Sequence, residues 1–160
     1  MIGLVACSAA KLSHPAPAGE LYRSALFVKS RSFVQRHADR WFVLSALHGL
    51  LPPQQVVAPY DVRLPLGSSP VQVWADRVAG QLRDALAGVP DPGLLVLAGR
   101  RYRCVLALVP DVPAVVPLAG LGIGQQLGWL TSRAGCGGAP CRCLDVNPSR
   151  QLVARVPPGG

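Results

Sequence analysis

The chain has 160 residues and half of them are hydrophobic, so it can bury the core of one globular domain without disulfide or metal cross-links. Its 16 Lys and Arg residues exceed its 8 Asp and Glu residues, and the formal net charge of +8 favours polyanionic partners, nucleic acid first, although the same composition could serve solubility alone. No apolar run approaches the roughly 20 residues that a transmembrane helix needs, so we expect no membrane partner.

The cysteines predict the redox compartment. There are five of them, an odd number, and Cys7 and Cys104 lie in or beside apolar runs. This usage predicts reduced thiols and a cytoplasmic protein. Cys136, Cys141 and Cys143 could bind zinc with a fourth ligand from elsewhere, but their spacing is not a recurrent zinc-binding one. We therefore predict no metal and no cofactor.

The hydrophobic pattern predicts an alternation of strands and helices. Short apolar runs predict buried strands at 2–7, 41–44, 94–98 and 114–118. Helices are predicted at 24–39, from 69 to a break at 88, at 102–109 and at 125–133. Ser24 and Ser69 are predicted N-caps, and the second helix is expected to bury a stripe formed by Val73, Trp74, Val78, Leu82 and Leu86. Residues 8–21, with two prolines, and 46–69 are predicted to be irregular loops.

This order predicts the fold class. Right-handed crossovers wind it into a three-layer α/β fold with a mostly parallel sheet of four to five strands and helices on both faces. We assign residues 1–134 to this α/β domain. Residues 135–160 form a Gly-, Pro- and Cys-rich C-terminal extension that could add an edge strand at 151–156.

The strand ends predict where a site lies. Each predicted strand is followed by polar or glycine residues, at 7–8, 45–49, 99–102 and 120–124. Open α/β sheets bind ligands at the carboxyl ends of their strands, so these segments are expected to meet at one edge, with the stretch 41–61 at its centre. The alternative is that each is an ordinary connection, since serine often caps a helix and glycine often forms a turn.

Cations and aromatic rings are predicted around the same edge. The cations are Lys11, Arg23, Arg100, Arg101 and Arg103, and the rings are Tyr22, Tyr60 and Tyr102. Arginine suits phosphates and aromatic faces suit an unstacked base, although the tyrosines could simply pack while the arginines are solvated. The glycines at 120, 122 and 124 precede a helix and offer either an anion site or a tight turn, and their spacing does not match a dinucleotide fingerprint.

Two residues are candidates for catalysis. Elimination of the other carboxylates favours Asp61, whose apolar neighbours are expected to desolvate it and raise its pKa so that it activates water or stabilises positive charge on a sugar. His48 is the candidate for proton transfer or a hydrogen bond to a base edge. A structural Asp that binds loop N–H groups, and a structural His, are the alternatives.

Seven motifs in order resemble a bacterial and phage domain family of unknown function, which is distantly similar to the YaaA-like peroxide-stress proteins. They span about residues 2 to 130 and are Cys7-Ser8-x-x-Lys11-Leu12, the run His14-Pro-Ala-Pro-Ala, Glu20-Leu-Tyr22-x-Ser24-x-Leu-Phe27, Ser45-Ala-x-His-Gly-Leu-Leu51, Pro59-Tyr-Asp61, Leu97-Ala-Gly-x-x-Tyr102 and Pro117-Leu-x-Gly-Leu-Gly-Ile-Gly-Gln-Gln-Leu127. The chain departs from the family pattern at Ala9 and Leu47, where relatives usually carry lysines.

The resemblance implies an α/β domain whose motif residues gather at one pocket, with links to nucleic-acid damage, nucleobase chemistry and DNA glycosylase-like defence proteins. The resemblance does not supply a reaction. The positions that match the family include Asp61 and His48, the two candidates for catalysis, and the residues that we predict to bind the substrate: Cys7, Ser8, Lys11, Tyr22, Ser24, Ser45, Gly49, Tyr60, Gly99, Tyr102, Gly120, Gly122 and Gln125.

We therefore expect an enzyme that acts on a nucleobase in nucleic acid, DNA in preference to RNA, by cleaving an N-glycosidic bond. A non-catalytic nucleic-acid-binding protein of the stress response and an enzyme that processes small nucleosides or nucleotides are the alternatives.

Overall fold

In the computed structural model, which describes residues 1–64 and 67–135, a five-stranded sheet runs between two layers of helices. The strands are β1 (Ile2–Ala6), β2 (Ala16–Pro17), β3 (Arg40–Ser45), β4 (Gly49–Leu51), β5 (Val56–Val57), β6 (Leu94–Leu97) and β7 (Ala114–Val115). The helices are α1 (Ala18–Leu21), α2 (Ala25–His37), α3 (Ser68–Leu86), α4 (Ile123–Ser132) and a 3-10 helix (Tyr102–Leu108).

The order of the main sheet is β4-β3-β1-β6-β7, and β1 is its central strand. β1 is parallel to both β3 and β6, with Ile2 opposite Arg40 on one side and Leu94 on the other. β7 is parallel to β6, and β4 is antiparallel to β3. The chain thus adds β3 on one side of β1 and then crosses to the other side for β6 and β7. The predicted three-layer, mostly parallel α/β fold is confirmed.

Each face of the sheet packs against its own helices because side chains alternate along the strands. Leu4 of β1 belongs to the core that α3 and the 3-10 helix cover, which includes Trp74, Val78 and Val105. Val5 belongs to the opposite core, which α2 and α4 cover. Both cores contain fully buried leucines and valines of β1, β3 and β6, as expected for parallel strands that are covered on both sides.

Helix α2 follows the sequence prediction closely. The Ser24 hydroxyl accepts a hydrogen bond of 3.2 Å from the N–H of Phe27, so Ser24 is the N-cap as predicted. Phe33 and Val34 are buried on the face that contacts the sheet. Gly3 of β1 lets this helix come close, since a Cβ there would lie 2.9 Å from Cβ of Val34.

The segment 46–69, predicted to be a loop, instead begins with a hairpin. The Ser45 hydroxyl accepts the N–H groups of Leu47 and His48, at 3.2 and 2.9 Å, and closes the turn. Gly49 then has a φ of 75°, a conformation that glycine adopts without strain. The residues after it pair with β3 as β4, whose Leu50 and Leu51 are buried in opposite cores. The short apolar pair Leu50-Leu51 was too brief a pattern to predict a strand.

The loop predicted at 8–21 also contains regular structure. Ala16 and Pro17 pair with β5 in a two-stranded antiparallel sheet, and Pro17 is the N-cap of the single-turn helix α1. Proline is compatible with both positions, because an edge strand and a helix start do not need its missing N–H. The prediction that the two prolines exclude regular structure here is wrong.

Helix α3 differs from the prediction in its N-cap residue and in one residue that was expected to be buried. Its N-cap is Gly67, so Ser69 lies in the first turn and makes no side-chain cap. Val73 is 71% exposed, while Trp74, Val78 and Leu82 are buried as predicted. The strand predicted at 114–118 pairs over two residues only, and the helix predicted at 102–109 is of the 3-10 type.

Two predictions fall on other parts of the chain. The edge strand at 151–156 and the tail cysteines at 136, 141 and 143 lie outside the described residues. Across the described segments 1–64 and 67–135, none of the helices has the length and apolar character that crossing a membrane requires.

A pair of glycine substitutions tests the contact between α2 and β1. Gly3→Ala should lower the free energy of unfolding by about 1–3 kcal/mol, because the new Cβ would crowd Cβ of Val34 at 2.9 Å and Cβ of Trp41 at 3.1 Å. Gly80→Ala, within α3, meets nothing within 4 Å and should raise it by about 0.5–1 kcal/mol. Urea unfolding followed by circular dichroism measures both, and a Gly3→Ala protein as stable as the wild type would contradict the close packing.

Candidate functional site

The order of the strands creates a crevice between the carboxyl ends of β1 and β6. The chain leaves β1 toward the face covered by α2, and it leaves β6 toward the face covered by the 3-10 helix. The two connections therefore diverge, as they do at the point of every doubly wound sheet where the strand order reverses, and this is where such sheets bind ligands.

Two cavities lie at this crevice and share Cys7, Ser8 and Tyr102. The first cavity, with a volume of about 210 Å³, is lined by those three residues and by Val5, Ala6, Ser24, Leu26, Phe27, Ser30, Leu97, Ala98, Gly99, Leu118 and Gln126. The second cavity, with a volume of about 330 Å³, is lined by the shared residues and by Ala9, Lys11, Asp61, Val62, Arg63, Leu64 and Arg101. The first is smaller than the sites of drug-sized ligands, which hold about 300–1,000 Å³, and the second lies at the lower end of that range.

The first cavity combines apolar walls with a few polar groups. None of the described residues that line it is charged. Its polar side chains include Ser30, which is buried on α2, and Gln126, whose amide N–H₂ donates to the Leu121 carbonyl at 2.7 Å. Such a lining suits an uncharged ring that makes one or two hydrogen bonds.

The second cavity is predominantly cationic. Lys11, Arg63 and Arg101 line it together with one carboxylate, Asp61. The Lys11 ammonium lies 4.6 Å from the centre of the Tyr60 ring, and the Arg101 guanidinium donates a hydrogen bond of 3.1 Å to the Leu64 carbonyl. Three positive charges against one negative charge favour an anionic ligand.

A network of hydroxyl groups fixes the segment that carries Asp61. We call residues 58–64 the strap, because they run without regular structure past the strand ends. The Tyr60 hydroxyl of the strap is hydrogen-bonded to Tyr22 at 2.6 Å and to Ser45 at 2.7 Å. Tyr22 and Ser45 are fully buried at 0% exposure, so the Tyr60 phenol attaches the strap to the interior of the domain, and the buried Leu64 side chain attaches its far end.

Tyr102 and Cys7 form the wall between the two cavities. The Tyr102 hydroxyl lies 3.1 Å from Sγ of Cys7, a hydrogen bond that joins the end of β1 to the start of the 3-10 helix. The edge of the Tyr102 ring packs against Trp74 of α3 with 5.5 Å between ring centres. Trp74 is itself held by a hydrogen bond of 2.9 Å from its indole N–H to the Ser45 carbonyl.

The three phenols keep their protons well into alkaline solution. Burial raises the pKa of Tyr22 above its usual value of 10.0, and the hydrogen bond to Tyr60 raises it further. Burial likewise raises the pKa of Tyr60 and of Tyr102, and the neighbouring Cys7 contributes in both cases. Near neutral pH these groups therefore act as hydrogen-bond donors and acceptors and not as bases.

Most of the predicted site residues do meet at this crevice. Those that line a cavity are Cys7, Ser8, Lys11, Ser24, Asp61, Gly99 and Tyr102. Tyr22, Ser45 and Tyr60 lie beneath them in the hydroxyl network. The remaining predicted residues, His48, Gly49, Gly120, Gly122 and Gln125, line neither cavity.

Local structure accounts for the residues that lie apart. Gly49 is buried at the hairpin, where a Cβ would meet the Gln81 side chain. The Gly122 N–H donates to the Gln125 amide oxygen at 2.9 Å, which caps α4, and Gly120 has the φ of 75° of a tight turn. The tight-turn interpretation of the glycine run is therefore the one that the hydrogen bonds support.

His48 packs with its ring edge-on to Tyr60, at 5.3 Å between ring centres, and its backbone N–H is bound to Ser45. It contacts the strap at Tyr60 and lines neither cavity. Its role in proton transfer stays a prediction.

The expectation of an apolar setting for Asp61 is wrong, because its side chain is exposed at the second cavity. Tyr60 turns inward to its hydrogen-bond partners, and the next residue in an extended segment points the other way. The expectation that Tyr22 stacks on a base is also wrong, since its ring is 0% exposed. Of the predicted surrounding cations, Lys11 and Arg101 line a cavity, whereas Arg23, Arg100 and Arg103 do not.

Three cavity residues with polar or charged side chains were absent from the predicted set: Ser30, Arg63 and Gln126. Ser30 carries a usable signal, because it is a polar residue on the face of α2 that otherwise buries Phe27, Phe33 and Val34. Arg63 lies two residues after Asp61 and so points to the same side of an extended segment.

Replacing Tyr22 by Phe tests the hydroxyl network. The pKa of Tyr22 is higher in the folded protein than in the unfolded chain, so above about pH 10 the unfolded chain loses a proton that the folded protein keeps. The contribution of this phenol to stability is therefore complete below about pH 10. Above that pH the free energy of unfolding falls by up to about 1.4 kcal/mol per pH unit for each such phenol. Tyr22→Phe should cost about 1 kcal/mol at pH 7 through one lost hydrogen bond and should make the alkaline fall shallower.

Urea unfolding between pH 7 and pH 11 measures this effect. The control is Phe27→Leu, whose ring packs 5.0 Å from that of Tyr22. It should lower stability at pH 7 and keep the wild-type slope above pH 10. Identical alkaline slopes for Tyr22→Phe and the wild type would contradict a buried, protonated Tyr22.

Comparison with known proteins agrees with the resemblance drawn from the motifs. A family model described as "Family of unknown function (DUF6884)" matches residues 2–132. The chain is also similar to the uncharacterized protein YfjM of Bacillus subtilis (strain 168), with 31% identity over 126 residues, which are 77% of this chain and 75% of that relative. No solved structure matches. The more distant similarity to YaaA-like proteins stays a prediction, and the chain belongs to the DUF6884 family of unknown function.

Proposed function

We propose that the protein is an enzyme that acts on a nucleobase, by cleaving the N-glycosidic bond of a nucleotide bound at the crevice between β1 and β6. The observation that carries this proposal is the position of the Asp61 carboxylate among Lys11, Arg63 and Arg101 in the second cavity. Cations at this site favour a phosphate-bearing ligand, and a carboxylate beside it can act at the sugar.

The chemistry follows from the side chains at the wall between the cavities. An exposed carboxylate is hydrated, so Asp61 can orient a water molecule toward the sugar and face the positive charge that develops there when the bond to the base breaks. Tyr102 lines both cavities, and the raised pKa of its phenol keeps its proton available for a hydrogen bond to the departing base.

The formal charge of +8 supports a polymer as the source of this nucleotide, and DNA as its type continues the sequence expectation. A base in a duplex would have to be extruded to reach the first cavity. The free thiols of Cys7 and Cys104 agree with a reducing compartment, and we propose the cytoplasm.

A non-catalytic nucleic-acid-binding protein of the stress response is the second candidate. It is favoured by the exposure of Asp61 and by the position of His48 outside both cavities. Such a protein relies on the cations alone, so its affinity for an oligonucleotide should fall steeply with salt and should survive Asp61→Asn.

Release of bases from oligonucleotides tests the enzymatic proposal. The protein is incubated with strands that carry damaged or modified bases, and abasic sites are detected by alkaline cleavage. Wild type should release a base, and Asp61→Asn should lower the rate by about a hundredfold or more, the usual contribution of a positioned acid or base.

Asp84→Asn is the matched control, because Asp84 is exposed on α3 and lines neither cavity. It should release the base at the wild-type rate. Absence of release by wild type would reject the enzymatic proposal in favour of the binding protein. Release at equal rates by Asp61→Asn and Asp84→Asn would reject the role that the proposal gives to Asp61.

A further inference from the structure

The two cavities differ in charge although they share a wall. None of the described residues around the first cavity is charged, whereas three cations and one carboxylate line the second. A ligand that fills both cavities therefore needs one uncharged end and one anionic end. Because Cys7, Ser8 and Tyr102 border both cavities, the group that joins the two ends of such a ligand would lie against these three residues.

We propose that the cavities bind the two ends of a single nucleoside 5′-phosphate, with the base in the first cavity and the phosphate held by Lys11 and Arg63 in the second. This division rests on the proposed function, which identifies the uncharged end as a nucleobase.

The first cavity has the size and lining that a base needs. Its volume of about 210 Å³ lies below the range of about 300–1,000 Å³ that is usual for drug-sized ligands, so it takes one ring system and not a larger group. Phe27 and Leu118 supply apolar walls. The Ser30 hydroxyl and the Gln126 amide supply the donors and acceptors that a base edge can pair with.

The second cavity has the donors that a phosphate needs. The Lys11 ammonium donates to the Ala9 carbonyl at 3.4 Å and lies 4.6 Å from the centre of the Tyr60 ring, and because an ammonium carries three N–H donors it keeps one for a ligand. Arg63 is exposed at the same cavity, and a guanidinium can bind two phosphate oxygens at once. Their positive charges exceed the single charge of Asp61.

With this orientation the sugar lies at the wall formed by Cys7, Ser8 and Tyr102. The glycosidic bond then points into the first cavity, while Asp61 faces the sugar from the second. The phosphate cations therefore fix the ligand in the register that brings the sugar to the carboxylate, which is the positioning effect that charged clamps provide.

Binding of the four deoxynucleosides, their 5′-monophosphates and inorganic phosphate to the full chain tests this division by isothermal titration calorimetry. At least one monophosphate should bind about tenfold or more tightly than its nucleoside, as charged hydrogen bonds provide. Inorganic phosphate should compete with the monophosphate and not with the nucleoside. Lys11→Gln and Arg63→Gln should each remove most of the difference between monophosphate and nucleoside.

Two further variants separate the cavities. Arg36→Gln removes an exposed cation of α2 outside both cavities and should keep the wild-type preference. Gly99→Leu adds a side chain at the first cavity, where a Cβ meets nothing within 4 Å, and should weaken nucleoside and monophosphate equally while inorganic phosphate still binds. Equal affinities of wild type for nucleoside and monophosphate, or equal losses for both ligands in Lys11→Gln and Arg63→Gln, would overturn the division.

A second binding experiment distinguishes a phosphate within a nucleic-acid strand from the phosphate of a free nucleotide. A trinucleotide with unphosphorylated ends offers only phosphodiesters, and tighter binding of this probe than of the nucleoside assigns the site to a strand, while a preference confined to the monophosphate assigns it to a free nucleotide. Failure of the proposed reaction gives a different result. If the monophosphate binds more tightly than the nucleoside but no base is released, the assignment of base and phosphate to the two cavities stands and the proposed reaction is rejected. If a base is released but the monophosphate binds no more tightly, the reaction stands and the assignment is rejected.

Discussion

The parallel pairing of β1 with a strand on each side is the constraint on which the other features of the domain depend. It gives β1 a neighbour of the same direction on each side, and the residues that follow β1 line both cavities. Both faces of β1 are covered, which requires the near-continuous apolar run Ile2–Ala6 and the small residue Gly3 beneath α2. Since β3 and β6 lie on opposite sides of it, the connections after β1 and β6 part and leave space between them.

That space is bordered by a buried network of hydroxyl groups from Tyr22, Ser45 and Tyr60. Ser45 ends β3 and satisfies four partners at once: its oxygen atoms bind the N–H groups of Leu47 and His48, the Tyr60 phenol and the Trp74 indole. A buried serine with every polar atom paired costs little, and each of its bonds fixes a different element. The hairpin, the strap and α3 are all aligned with the site through this one residue.

The parts of this arrangement that could be predicted from the sequence are those that follow from repeating patterns. Apolar runs located β1, β3 and β6, and the spacing of Phe27, Phe33 and Val34 located the buried face of α2. The hairpin at Gly49 and the pairing of β2 with β5 depend on contacts between residues far apart in the chain, which no local pattern contains. The same holds for the site: its strand-end residues were predicted, but the exposure of Asp61 is decided by Tyr60, which turns inward because Tyr22 and Ser45 offer it hydrogen bonds.

The strap is joined to the rest of the domain by side chains, namely the Tyr60 phenol, the buried Leu64 side chain and the Arg101 guanidinium that binds the Leu64 carbonyl, and not by pairing with the sheet. The side chains at positions 61, 62 and 63 are exposed and do not pack in the core. Substitutions there can change what the domain recognises while its thermal stability is conserved. A scaffold of this kind can change its choice of ligand through exposed side chains of one short segment without a change in its core.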